Sequence, residues 1–183
     1  TCKVHSFRDE KTMLLAFAEH VRAMDPDVLS GYNVTNFDMR YIWQRIEALN
    51  VGGALDAAMQ WSRLKDYVCP LTKSAFKSRA FGTNEVWKVS LPGRTILDLY
   101  QIIKKEHKLV SYKLDAVAKE YLQCQKMDVK YSDIPVLQST RAGREKMAAY
   151  CLKDSWLCVE LNKKLCKLSN AIEMARVCSI TLN

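Results

Sequence analysis

Apolar residues at Met13, Leu14, Phe17, Val21 and Met24 recur at three- and four-residue steps, the period of one helix face. Asp9-Glu10 opens that stretch, where acidic side chains suit the positive end of a helix dipole, and Pro26 stops it. Val4 to Phe7 before it alternates as a short strand does, and Asp27 to Tyr32 after it reads as a strand running into a loop. Met39, Ile42, Trp43, Ile46 and Leu49 make a second amphipathic helix, ended near Asn50-Val51-Gly52-Gly53. From about 61 to 85 no period is clear. Trp87, Val89 and Leu91 then alternate, Pro92-Gly93 is a turn signal, and Thr95 to Leu99 reads as a paired return strand, which predicts a hairpin. A helix follows through Ile102-Ile103. Ser111 is placed to cap another, with Leu114, Val117, Ala118 and Tyr121 inward. The last helix begins near Thr140 and carries Met147, Tyr150, Asp154, Leu157, Leu161, Leu165 and Leu168. Strands mixed with helices throughout predict an α/β layered domain.

A length of 183 residues with 49% apolar and 26% charged residues is the profile of a folded globular chain and excludes disorder as the main state. No run approaches the ~18 apolar residues of a membrane span, and the first residues are no secretory signal. The seven cysteines are irregularly spaced with no C-x-x-C pair, which argues against a zinc ribbon or a disulfide framework and for buried thiols in a reducing compartment. The net charge of +8 is uneven: residues 1–60 carry six basic and eight acidic groups, residues 61–110 carry ten and four. A basic middle suits a polyanion such as nucleic acid, and equally a solvated lysine-rich surface.

Two carboxylates stand out by position. Asp38 sits where the second helix starts, after a loop, and either offsets the helix dipole or serves a site. Asp154 shares the apolar stripe of Tyr150, Leu157 and Leu161, where an unpaired carboxylate is costly. Tyr150 and Asp154, four apart, project from one side of the helix. They read either as a buried Tyr–Asp hydrogen bond or as a metal carboxylate with a phenol beside a water. Sites that hold magnesium with carboxylates and phosphate oxygens generally need three or four carboxylates, and this chain offers two well placed.

The string from Asp25 to Asp38, ending Asn33-Val34-Thr35-Asn36-Phe37-Asp38, resembles the second exonuclease motif of the B-family DNA polymerases. Tyr150-Cys151-Leu152-Lys153-Asp154 resembles their third motif, Tyr-x-x-x-Asp. Leu109 to Ala118 and Ala171 to Val177 are similar to further segments of that family, and the likeness covers nearly the whole chain in order. Within the family, Tyr150 to Asp154 and Glu173 to Val177 resemble the delta-type replicative catalytic subunit, while Asp133-Ile134-Pro135 resembles herpesvirus polymerases. A cellular subunit and one from a large DNA virus both remain open.

The resemblance implies a ribonuclease-H-like exonuclease fold and 3′→5′ proofreading with two Mg2+ ions. The third-motif Asp154 would bind the ion that activates water, Tyr150 would orient that water, and Asp38 would serve the second ion. Asn33 and Phe37 would meet the single-stranded 3′ end of a DNA primer. The family's first motif, Asp-x-Glu on an early strand, has no counterpart upstream of Asp38, because Asp9 and Glu10 are adjacent. On that basis the chain is expected to be truncated at its N-terminal strands and nearly inactive alone. Residues 1–170 would be a partial exonuclease domain and 171–183 the start of the connection to the polymerase palm. Other polymerase subunits or a sliding clamp, and a nuclear location (the host's if viral), are implied for the whole protein; no membrane is. The alternative is a non-catalytic nucleic-acid-binding domain of the same fold. A further expectation is that Lys73, Lys77 and Arg79, with aromatics between them, track single-stranded DNA.

Overall fold

Asp9 begins the first helix by accepting the Thr12 amide at 2.8 Å on its own carboxylate, and helix α1 runs Glu10–Met24. Asp25, in the left-handed region, turns the chain out ahead of Pro26. Strand β1 (Val28–Gly31) follows, then a π-helical turn (Thr35–Met39) leading into α2 (Arg40–Leu49). After two short 3-10 turns come β2 (Leu71–Ser78), β3 (Gly82–Val89) and β4 (Thr95–Asp98). The rest is helical: α3 (Leu99–Glu106), α4 (Leu114–Leu122), α5 (Ile134–Ser139), α6 (Arg141–Lys164) and α7 (Lys167–Cys178). The computed structural model describes residues 4–78, 82–124, 129 and 131–182. It divides into two units, 1–29 with 33–96 and 30–32 with 97–183. Mixed helix and strand is as expected. Among the described residues the strands make two two-stranded sheets, β1 with β4 and β2 with β3.

The first unit packs around Trp43, Ile46, Leu55, Trp61 and Cys69, with Leu14, Ala18 and Val21 of α1 against them. Both buried indoles find acceptors: Trp43 Nε1 donates to the Cys69 carbonyl at 2.6 Å and Trp61 Nε1 to the Ala58 carbonyl at 2.8 Å. Their rings meet edge to face at 4.9 Å, so the pair fills the core without leaving a polar atom unsatisfied. Arg45 ties α2 to α1 through a two-pronged contact with Glu10, whose carboxyl that guanidinium holds below the ordinary range. In the second unit Leu99, Ile103, Val117, Ala118, Leu157 and Leu161 are buried. Tyr32 donates to the Tyr112 carbonyl at 2.6 Å, and burial pushes its phenol well above the usual value. Lys167, nearly buried, donates to Glu106 and to His107 Nε2. An ammonium only donates, so Nδ1 carries the His107 proton, directed at the Tyr121 hydroxyl 3.0 Å away.

The structure corrects several expectations. Among the described residues, 4–7 form no strand, and Val4 and Phe7 are exposed. On α1, Leu14 and Val21 of the expected stripe are buried, with Ala18 beside them, whereas Met13, Phe17 and Met24 are exposed. The expected hairpin of β3 with β4 is replaced by an antiparallel β2–β3 ladder, running from Leu71↔Val89 to Ser78↔Gly82, with β4 beside β1 instead. The reason lies at the turn after β3. Arg94, buried, donates to the Pro26 and Trp61 carbonyls, and Thr95 then donates to the Asp27 carbonyl, which leads the chain toward β1. Ser111 does not cap α4: Lys113 occupies that place, and Ser111 Oγ accepts the Lys113 amide at 3.4 Å. The last helix is two helices. Leu165 ends the first, and Cys166 in the left-handed region separates them, so Leu168 belongs to α7. The thiols are not uniformly buried: Cys69 is, whereas Cys151, Cys166 and Cys178 are exposed.

Candidate functional site

Asn33 opens the stretch that carries three of the sequence-predicted residues, with φ of 59°, a left-handed conformation that Asn tolerates better than most residues. Its carbonyl accepts the Phe37 amide at 3.0 Å, and the Val34 carbonyl accepts the Met39 amide at 2.8 Å, a five-residue step. That step inserts an extra residue where an α-helix would have begun, as π turns do, often at functional sites. Met39 therefore stays in register with the buried Trp43 and Ile46, while Phe37 (63% exposed) and Asp38 are turned outward. Sequence reasoning placed Asp38 at the start of an ordinary helix; the widened turn is what faces it to solvent.

Strand β3 abuts this turn. Asn36 Oδ1 accepts the Trp87 amide at 3.0 Å. The Arg40 guanidinium lies 4.7 Å from the centre of the Trp87 ring, and the Lys73 ammonium 5.7 Å from it. Asn36 and Arg40 were missed as site residues by sequence reasoning. The motif string held Asn36, but only the register of β3 brings an amide to it. Of the three cations expected to track DNA, Lys73 sits at this stack. Arg79 and the Lys77 side chain lie outside the described residues.

The remaining two sequence-predicted residues lie on α6. Thr140 caps it by accepting the Gly143 amide at 3.0 Å, and Leu157 and Leu161 bury one face. Tyr150 and Asp154 stand on that same face, both half-buried, and the Asp154 Oδ1 oxygen is shielded from solvent. Apolar residues also occupy the opposite side, where Leu152, Trp156 and Val159 are exposed and Lys153 lies 4.1 Å from the Trp156 ring centre. The structure thus groups Asn33, Phe37 and Asp38 on one turn of the first unit, and Tyr150 with Asp154 on one helix of the second.

The first unit also holds a cleft of about 490 Å³ lined by Arg22, Asp25, Arg63, Lys65 and Arg94 among others. Its charged walls are engaged with one another. Arg63 bonds Asp25 at 2.8 Å and Asp27 at 2.7 Å, Arg94 bonds Asp25 at 2.9 Å, and the Arg63 guanidinium holds the Asp25 carboxyl below its usual range. Asp25, at the start of the second-motif string, lines it, but Asn33, Phe37, Asp38, Tyr150 and Asp154 do not. Carboxylate oxygens of Asp38 and Asp154 are the hard donors a divalent cation takes. Among the described residues, no group of three or more His, Cys, Asp or Glu side chains is placed to hold a metal. Among those residues, no helix is long and apolar enough to cross a membrane.

Residues 1–117 match the model of the DNA polymerase family B exonuclease domain, and the chain belongs to that family. Its relatives are DNA polymerase delta catalytic subunits: it is 42% identical to that of Plasmodium falciparum over 93% of its own length. It is 38% identical to that of Schizosaccharomyces pombe over 99%, and 39% to that of Bos taurus over 98%. The chain spans 15–16% of the length of these relatives.

Proposed function

We propose that this chain contributes the 3′→5′ proofreading activity of a DNA-directed DNA polymerase, on a ribonuclease-H-like fold. The observation that carries the reading is the π turn that follows Asn33, which leaves the adjacent Phe37 and Asp38 exposed. An exposed aromatic offers a face on which a single-stranded base stacks, and Asn33 would belong to the wall beside it. On α6 one oxygen of the Asp154 carboxylate is shielded from solvent, where attraction to a cation is screened less than in water. Tyr150, one turn earlier on the same face, is in position to hold a water by its hydroxyl. Divalent ions held by Asp38 and Asp154 would supply the activation of water and the neutralisation of charge on the phosphate. Two carboxylates hold magnesium weakly, so the 183-residue chain by itself is expected to show little nuclease activity. For the whole polymerase the reading includes a primer's single-stranded 3′ end as substrate, further subunits or a clamp as partners, and the nucleus as location. Residues 171–183 are assigned to the passage toward the palm.

The test is excision of a mismatched 3′ nucleotide by the full-length polymerase. Asp38→Ala and Asp154→Ala should each abolish excision and leave synthesis largely intact; Tyr150→Phe should cost less, since it removes a hydroxyl and no carboxylate. Unchanged excision in Asp154→Ala would overturn the assignment and favour a non-catalytic DNA-binding role.

A further inference from the structure

We infer that Asn36 is a positioning residue for excision: by accepting the Trp87 amide of strand β3 it holds the π turn that presents Asp38. This rests on the role proposed above for Asp38. A π turn is rare and appears mostly as a single turn within α-helix, so something must keep it from relaxing into α register. Relaxation by one residue would rotate Asp38 about 100° around the helix axis. Two restraints are internal: the left-handed Asn33 at its start and the buried Met39 at its end. The third comes from the hairpin. Ser90 donates to the Pro70 carbonyl at 3.2 Å, so 70 and 90 are a bonded pair, and alternation along the antiparallel ladder makes Lys73 and Trp87 a non-bonded one. The Trp87 amide therefore points away from β2, an open edge donor, and Asn36 takes it at 3.0 Å. Arg40, first residue of α2, then lies over the indole of the same residue. The turn is clasped at both ends to one residue of the hairpin.

The test uses the full-length polymerase with Asn36→Leu, which removes the acceptor, and Asn36→Asp, which keeps it. Hydrogen exchange reads the turn directly, because the Phe37 and Met39 amides close it. Asn36→Leu should cut protection of those two amides by about tenfold or more while Trp43 and Ile46 stay within about threefold, and Asn36→Asp should restore it. Excision should follow, with kcat down by about 10- to 100-fold in Asn36→Leu and KM for single-stranded DNA little changed, as a misplaced group predicts. Unchanged protection at Phe37 and Met39, or equal damage from Leu and Asp, would overturn the inference. If Asp38→Ala itself left excision intact, the proposed function would fail, while the exchange data would still decide whether Asn36 holds the turn.

Discussion

Replacing Arg94 by Met should destabilise the first unit by about 3–5 kcal/mol, although Arg94 bonds none of Asn33, Phe37 and Asp38. Its side chain is 2% exposed. Nε donates to the Trp61 carbonyl at 2.7 Å and Nη1 to the Pro26 carbonyl at 2.6 Å. Met matches the length of the aliphatic stem, so the loss is the two charged hydrogen bonds, each removal leaving an acceptor with about 1–3 kcal/mol of unpaid desolvation. The contact with Asp25 adds little, because that carboxylate is more than half exposed. Arg94→Lys should recover part of the loss, since one ammonium reaches one carbonyl and not both. Trp43 and Trp61 are both in this core, so their fluorescence in a urea titration reports the unit that Arg94 serves. A loss below about 1 kcal/mol for Met, or full recovery with Lys, would refute the two-carbonyl argument.

Gly143→Ala should cost about 3 kcal/mol or more, read as a lowered Tm by circular dichroism, because the added Cβ would sit 2.0 Å from the Leu137 carbonyl oxygen and backbone cannot rotate away. Asp9, Glu10 and Asp25 all titrate below their ordinary values of 3.8 to 4.5 in the folded chain, held by Thr12, Arg45 and Arg63 respectively. Their stabilisation is present above that range and lost as pH falls through the lowered values, so urea midpoints should drop between about pH 5 and pH 3, and by less in Arg45→Gln. A maleimide should label Cys151, Cys166 and Cys178 rapidly, and Cys69 only on unfolding, since burial both covers its thiol and raises its pKa.

Local chemistry was legible in the sequence wherever neighbours along the chain decide it. The helix starts near Asp9-Glu10 and Thr140, Pro26 as a stop, and the Met39, Trp43, Ile46 face of α2 all follow from side chains within a turn or two of one another. The motif strings around Asp38 and Asp154 were legible for the same reason, and with them the family. Pairing of strands was not. Trp87 to Leu91 alternates as a strand, but its partner is β2, in a stretch with no clear period, because a buried arginine 94 residues into the chain carries β4 off to β1. The buried face of α1 was legible in part: Leu14 and Val21 were on the expected stripe, but that Ala18 is buried while Met13, Phe17 and Met24 stay exposed depends on how the core around Trp43 and Trp61 fills. The π turn shows the division most sharply: sequence placed Asp38 at a helix start, and only the packing of Met39, with an acceptor at Asn36 for an edge amide 51 residues away, decides that its carboxylate faces out. A one-dimensional pattern records the bonds a residue can make with its neighbours, whereas register and facing depend on which distant groups arrive to complete them.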